Sequence, residues 1–221
     1  MSLHEELVTQ AALSSKRIPE ASRKIMIADL EQLAAAGLVK KGPQRGNKLP
    51  DFSLVNQVGE AVSLADLRSQ GPVILNFYRG GWCPYCNLEL RAWQSMLAEV
   101  TKYGATLIAI TPETPDNSLT TREKNELAFP VLTDHDNHYG RRIGLVFSLS
   151  QELREVYSSM GIDLVKSNQN GNWELPFPAT ITIDSGGTVI SSYVAADYKQ
   201  RAEPKEVLDE LKRYLENNSW N

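Results

Sequence analysis

The chain has 221 residues and a mass of 24.6 kDa, room for one full core and an appendage. Its net charge of −4 gives no electrostatic support to a nucleic-acid partner. No apolar run approaches the roughly 18 residues of a membrane span, and 42% hydrophobic with 23% charged residues is ordinary for a soluble globular protein. The first residues, Met1 to Glu6, are acidic and lack a hydrophobic signal core, so the cytoplasm or an equivalent reducing space is expected.

Residues 1–45 read as a helical extension with a linker, and residues 46–221 as the main domain. Ser2-Leu3-His4-Glu5 has the form of a capping box, with Leu3, Leu7 and Ala11 following at helical spacing. Pro19 and Glu20 open a second helix with Met26, Leu30 and Leu33 on one face, and Gly37 ends it. That stripe needs cover, from the body of the protein or from a second copy; a homodimer is the assembly expected. The four cations from Lys40 to Lys48 read as a solvated connector, not an anion site.

Strands and helices then alternate. Short strands are predicted at 52–55 and 61–63, and a buried strand at 73–78. The helix after it carries Leu90, Trp93, Leu97 and Val100 on one stripe and stops near Gly104. A buried strand at 105–111, a helix from Thr114-Pro115 to about Leu127, and a strand at 129–133 follow. A turn or helix at 137–143 and a helix over 149–160 come next. Residues 161–176, rich in Asn and Gly, read as an irregular loop. Strands at 179–183 and 188–194 flank the turn Asp184-Ser185-Gly186-Gly187, and Pro204 opens a last helix. This order implies an α/β fold with a mixed central sheet and helices on both faces.

Both cysteines of the protein lie in Gly80-Gly81-Trp82-Cys83-Pro84-Tyr85-Cys86, where a strand turns into a helix. Pro84 suits the first helical position, which places Cys83 at the N-cap. There its sulfur would face free backbone N–H groups and the positive end of the helix dipole, both favouring thiolate. Cys86, nearly one turn on, could resolve a mixed disulfide formed on Cys83. A c-type haem site would need His at position 87, which is Asn. Zinc would need two more ligands, and His135 and His138 read as loop residues. A structural disulfide would staple only a tiny loop. No metal and no cofactor is called for.

The motifs Leu49-Pro50-Asp51-Phe52, Phe77-Tyr78 with the Cys turn, Phe129-Pro130-Val131-Leu132-Thr133-Asp134 and Ile181-Thr182-Ile183-Asp184-Ser185-Gly186-Gly187 occur in an order that resembles peroxiredoxin-like proteins of the alkyl-hydroperoxide-reductase, thiol-specific-antioxidant type. The resemblance covers residues 49 to about 217 and implies a thioredoxin-like fold behind the N-terminal helical extension. It also implies that Cys86 falls at the peroxidatic position, with Glu89 in register. Where the family carries Pro and Thr before that cysteine, this chain has Arg79 and Cys83; where it carries a later Arg, this chain has Pro178. Cys83-Pro84-Tyr85-Cys86 is similar to the dithiol glutaredoxin tetrapeptide, and Trp82 to the Trp before the first thioredoxin Cys. Pro178 matches the place of a cis-proline in thioredoxin-fold reductases.

These readings lead to a thiol–disulfide oxidoreductase in which Cys83 attacks a protein or low-molecular-weight disulfide, Cys86 resolves, and a thioredoxin or glutathione system restores the dithiol. Trp82, Pro84, Tyr85, Phe177 and Pro178 would meet the substrate, joined by Trp173 from the loop. Arg79 and Glu89 would tune the thiols. A thiol peroxidase, with Cys86 peroxidatic and Cys83 resolving, is the first alternative; a redox sensor or binding module is the second. Loss of two oxyanion donors, the Thr and the later Arg, predicts slow reaction with peroxide.

Overall fold

The computed structural model describes residues 1–218; positions 219–221, which close the main domain as delimited above, lie outside the described residues. Two helices come first, α1 (Leu3–Arg17) and α2 (Glu20–Ala35), then a 3₁₀ turn at Leu38–Lys41. β1 (Ser53–Asn56), β2 (Ala61–Ser63), α3 (Leu64–Ser69), β3 (Val73–Phe77), α4 (Pro84–Ser95), α5 (Leu97–Lys102), β4 (Thr106–Thr111), α6 (Pro115–Lys124) and β5 (Val131–Thr133) follow. The chain continues through a 3₁₀ turn at His135–Asn137, α7 (His138–Arg142), β6 (Val146–Ser148), α8 (Gln151–Ser159), α9 (Leu164–Asn168), β7 (Glu174–Pro176), β8 (Ala179–Ile183), β9 (Val189–Val194) and α10 (Pro204–Asn218).

Seven strands form one sheet in the order β2-β1-β5-β4-β3-β8-β9. The central β3, β4 and β5 are parallel, and the outer pairings are antiparallel. β3 is buried along its whole length, as its unbroken Val-Ile-Leu-Asn-Phe run requires of a strand covered on both faces. Alternation divides its side chains. Ile74 and Tyr78 face a core shared with Trp93 of α4 and Leu211 of α10. Val73, Leu75 and Phe77 face a second core with Leu64 and Tyr139. A third cluster lies under the two-stranded ribbon of β6 and β7, with Phe147, Leu175 and Phe177.

The N-terminal helices pack on the body. Ser2 accepts from the Glu5 N–H and Glu5 reaches back to the Ser2 N–H, so the capping box is made. Leu3 and Leu7 of α1 are buried in the core that contains both cysteines. Met26 and Leu33 of α2 lie against the third cluster. The connector is partly anchored: Gly46 and Leu49 donate to Val189 and Gly187, and Lys48 Nζ donates to the Gly186 carbonyl at 2.7 Å.

Several local expectations need correction. The helix expected from Cys83 to Gly104 breaks at Met96 into α4 and α5. Ser95 Oγ donates to the Ala92 carbonyl just before the break, a side-chain bond that competes with the helix ladder. Residues 64–69 form a helix with no counterpart in the sequence reading, capped by Ser63. Inside the expected 161–176 loop lie α9 and β7, the latter recognisable only through its pairing with β6.

Candidate functional site

The turn that carries the cysteines is shaped by two glycines. Gly80 has φ +152, and a Cβ there would strike the Trp82 ring; a Cβ on Gly81 would strike Thr121. The Gly81 N–H donates to Glu113 Oε2 at 2.8 Å, which ties the turn to the segment after β4. Pro84 is the first residue of α4 and Cys83 its N-cap. Asn87, one turn into the helix, donates to the carbonyls of Gly81 and Cys83.

Both thiols are free and buried. Cys83 makes no cap hydrogen bond with the helix backbone, contrary to the expectation that free N–H groups would hold its sulfur. Arg79 replaces them: its Nη2 donates to Cys83 Sγ at 3.2 Å. Arg79 is itself held by Tyr157, with Nη1 donating to the phenol oxygen at 2.8 Å, and lies 4.1 Å from the centroid of the Tyr198 ring and 5.0 Å from that of Trp82. Cys86 has a guanidinium of its own, Arg201 Nη2 at 3.4 Å. Arg201 is fixed by a buried ion pair, Nε to Glu89 Oε2 at 2.6 Å, and it also donates to the carbonyls of Tyr198 and Gln200. Glu89 Oε1 in turn accepts from Asn76 Nδ2 at 2.8 Å. The buried charges of Arg201 and Glu89 thus offset each other, as burial demands.

The two thiols are pushed apart electrostatically. Burial alone would raise Cys83, but a hydrogen bond from Cys86 and the charges of Arg79 and Arg201 outweigh it and hold Cys83 well below the usual thiol range. Burial, donation to Cys83 and the Cys83 negative charge drive Cys86 well up, against both arginines. The arrangement favours the charged form on Cys83 and the neutral form on Cys86, a nucleophile with a proton-bearing partner. Burial also raises the Glu113 carboxyl to about 7, against the Gly81 N–H and with help from the Cys83 charge.

Trp82, Pro84, Tyr85 and Arg79 line one small pocket with Tyr157, Tyr198 and Met160. Phe177, expected on its rim, is instead fully buried and stacked on Phe147 with ring centroids 4.6 Å apart. Trp173 lies beside Arg154 in the third cluster, not at the pocket. Pro178 is buried where β8 begins, one step beyond the Phe77–Ala179 pair. No peptide bond among the described residues is cis, so the expected cis-proline is absent. Glu89, expected to tune the thiols, is fully buried and paired with Arg201, the guanidinium on Cys86. Arg201, Tyr157, Tyr198, Asn76 and Glu113 were not anticipated; they come from distant segments, and no local motif marks them. Among the described residues no cluster of His, Cys, Asp and Glu could hold a metal ion, and no helix is long and apolar enough to cross a membrane.

A family model described as the AhpC/TSA family matches residues 45–192. The chain is 28% identical over 151 residues to the chloroplastic peroxiredoxin Q of Triticum aestivum, covering 67% of this chain and 69% of that one. It is 30% identical over 100 residues to peroxiredoxin Bcp of Escherichia coli, covering 45% and 64%. The match to a candidate peroxiredoxin of Mycobacterium tuberculosis is 35% over 91 residues, 41% of this chain and 57% of that one, so the chain spans less than two thirds of some curated relatives. Among solved structures, peroxidoxin BcpB of Mycobacterium tuberculosis superposes with a TM-score of 0.61 at 20% identity, over 77% of this chain and 97% of that one. Peroxiredoxin 6 of Arenicola marina gives 0.63 at 15% identity, over 80% and 76%. These structures share the thioredoxin-like fold.

Proposed function

The chain belongs to the AhpC/TSA family, and from that membership we propose that it is a thiol peroxidase whose Cys83 thiolate attacks the peroxide and whose Cys86 resolves the product. The observation that carries this reading is the Arg79 guanidinium 3.2 Å from Cys83 Sγ. It stabilises the nucleophile and stands ready to polarise the O–O bond. The loss of the family's Thr and later Arg therefore does not leave the site without donors: Arg79 and Arg201 approach the two sulfurs from other directions. This argues against slow peroxide chemistry, because donors aimed at developing charge are what such a step requires.

In the first step the Cys83 thiolate attacks one peroxide oxygen. The O–O bond breaks, the leaving oxygen takes a proton to become an alcohol or water, and Cys83 becomes a sulfenic acid. Cys86 then loses its proton and attacks the Cys83 sulfur, releasing water and forming the Cys83–Cys86 disulfide. An external dithiol, of the thioredoxin or glutathione type, returns both sulfurs to thiols. The work belongs in a reducing compartment such as the cytoplasm. Arg201 favours the charged form of Cys86 during its attack and when it leaves on reduction.

The disulfide-reductase reading has less support. Both sulfurs are buried, Pro178 is trans, and the peroxiredoxin relatives favour the peroxidase. The role given to Cys86 by register, as the peroxidatic residue, fits its raised pKa poorly. Stopped-flow reaction with hydrogen peroxide tests the proposal. A second-order rate constant above about 10⁴ M⁻¹s⁻¹, the lower edge for efficient enzymes, is expected. Faster reaction with an insulin disulfide than with peroxide would return the reductase to first place.

A further inference from the structure

Two adjoining cavities lie under the N-terminal helices, one of them walled by Arg79, which donates to Cys83; neither cysteine lines either cavity. One, of about 70 Å³, has Arg79, Trp82 and Met160 among its walls. The other, of about 170 Å³, has Arg23, Ile27 and Leu30. They share Ser14, Ile18, Met26, Tyr85 and Tyr198. Ser14 lies on α1, Ile18 is its C-cap, and Met26 lies on α2. One wall over the redox centre thus comes from the N-terminal hairpin, outside the 45–192 segment shared with the family.

No carboxylate lines either cavity. Of the cations, Lys199 is paired with Asp197 at 2.8 Å. Arg23 donates to the Ser15 and Ile18 carbonyls, which closes the turn between the two helices. Arg79 alone of the three reaches a thiol sulfur. The stretch between is apolar. Both cavities fall short of the roughly 300 Å³ at which drug-sized ligand sites begin. A slim apolar chain fits; a folded polypeptide does not.

The geometry points to the α1–α2 hairpin as the specificity element of the site: Ile18 and Met26 hold the aliphatic part of an organic hydroperoxide while its O–O group faces Arg79 and Cys83. This rests on the thiol-peroxidase reading and follows the same two-thiol stoichiometry. Met26 is suited to the task, since an unbranched thioether adapts to tails of different shape.

Rapid-quench mass spectrometry of Cys83–Cys86 disulfide formation, with n-hexyl hydroperoxide and hydrogen peroxide in separate runs, gives a rate ratio for each protein. Met26→Trp, which fills the shared wall, should lower the n-hexyl to hydrogen-peroxide ratio about tenfold, the scale on which hydrophobic pockets discriminate. A ratio within about twofold of wild type, with both peroxides reacting, overturns the hairpin's role and leaves the peroxidase standing. A second measurement needs neither turnover nor the variant: n-hexanol, the product alcohol, should slow iodoacetamide alkylation of Cys83 in the wild-type protein. Absence of protection overturns the inference even where Met26→Trp fails to fold. Protection in a wild-type protein inert to both peroxides keeps the binding site and overturns the peroxidase reading instead.

Discussion

At the scale of single residues, the chemistry depends on Arg79 being close to Cys83 and Arg201 close to Cys86. Arg79→Gln removes the donor at 3.2 Å and a full positive charge. The pH midpoint for Cys83 alkylation should then rise toward the ordinary thiol value near 8.5; an unmoved midpoint would show that Arg79 does not hold the thiolate. Glu113 offers a separate pH signature. Its folded-state pKa is raised from 4.5 to about 7. Below the unfolded value both states hold the proton; between the two values only the folded state does, so this group's contribution to stability falls as pH rises through that window. The change amounts to about 3 kcal/mol. Glu113→Gln should therefore flatten the decline in stability between pH 4.5 and 7, read by urea unfolding at several pH values. The redox turn was legible in the sequence because it is local: four residues and a Pro at the first helical position define it. The arginine on Cys86 was not, because Arg201 lies 115 positions away and its Tyr-Lys-Gln-Arg context carries no pattern.

Among the elements, the N-terminal hairpin packs on the body of the protein, one of the two covers its apolar stripe called for. Its capping box and apolar spacing were readable, but not where it docks. Leu3 and Leu7 enter the core that holds Cys83 and Cys86. Leu7→Ala should cost about 2–3 kcal/mol, the lower part of the range for buried leucines, measured as a shift in the urea midpoint. A loss below about 0.5 kcal/mol, the size of surface changes, would mean that α1 is a loose appendage. Deleting residues 1–35 should lower stability and speed Cys83 alkylation, since the roof over Tyr85 and Arg79 goes with it. The break between α4 and α5 and the β6–β7 ribbon mark the limit of periodicity as a guide. A side-chain bond interrupts the first, and pairing across 25 or more positions makes the second.

Across the whole molecule, a mixed sheet was implied by the alternation of strands and helices, and it appears with a parallel centre; the order of its strands was not readable from the sequence. What the order of elements left open was the convergence of loops. The segment between β9 and α10 brings Tyr198 and Arg201 over the end of β3, and α8 brings Tyr157. This convergence buries the thiol pair and sets one guanidinium beside each sulfur. Which sulfur attacks is the central claim. Cys86→Ser and Cys83→Ser, each exposed to one equivalent of hydrogen peroxide with dimedone present and read by intact-protein mass spectrometry, test it most directly. The account predicts rapid formation of the sulfenic-acid adduct on Cys83 in Cys86→Ser and little on Cys86 in Cys83→Ser; the opposite distribution would contradict it.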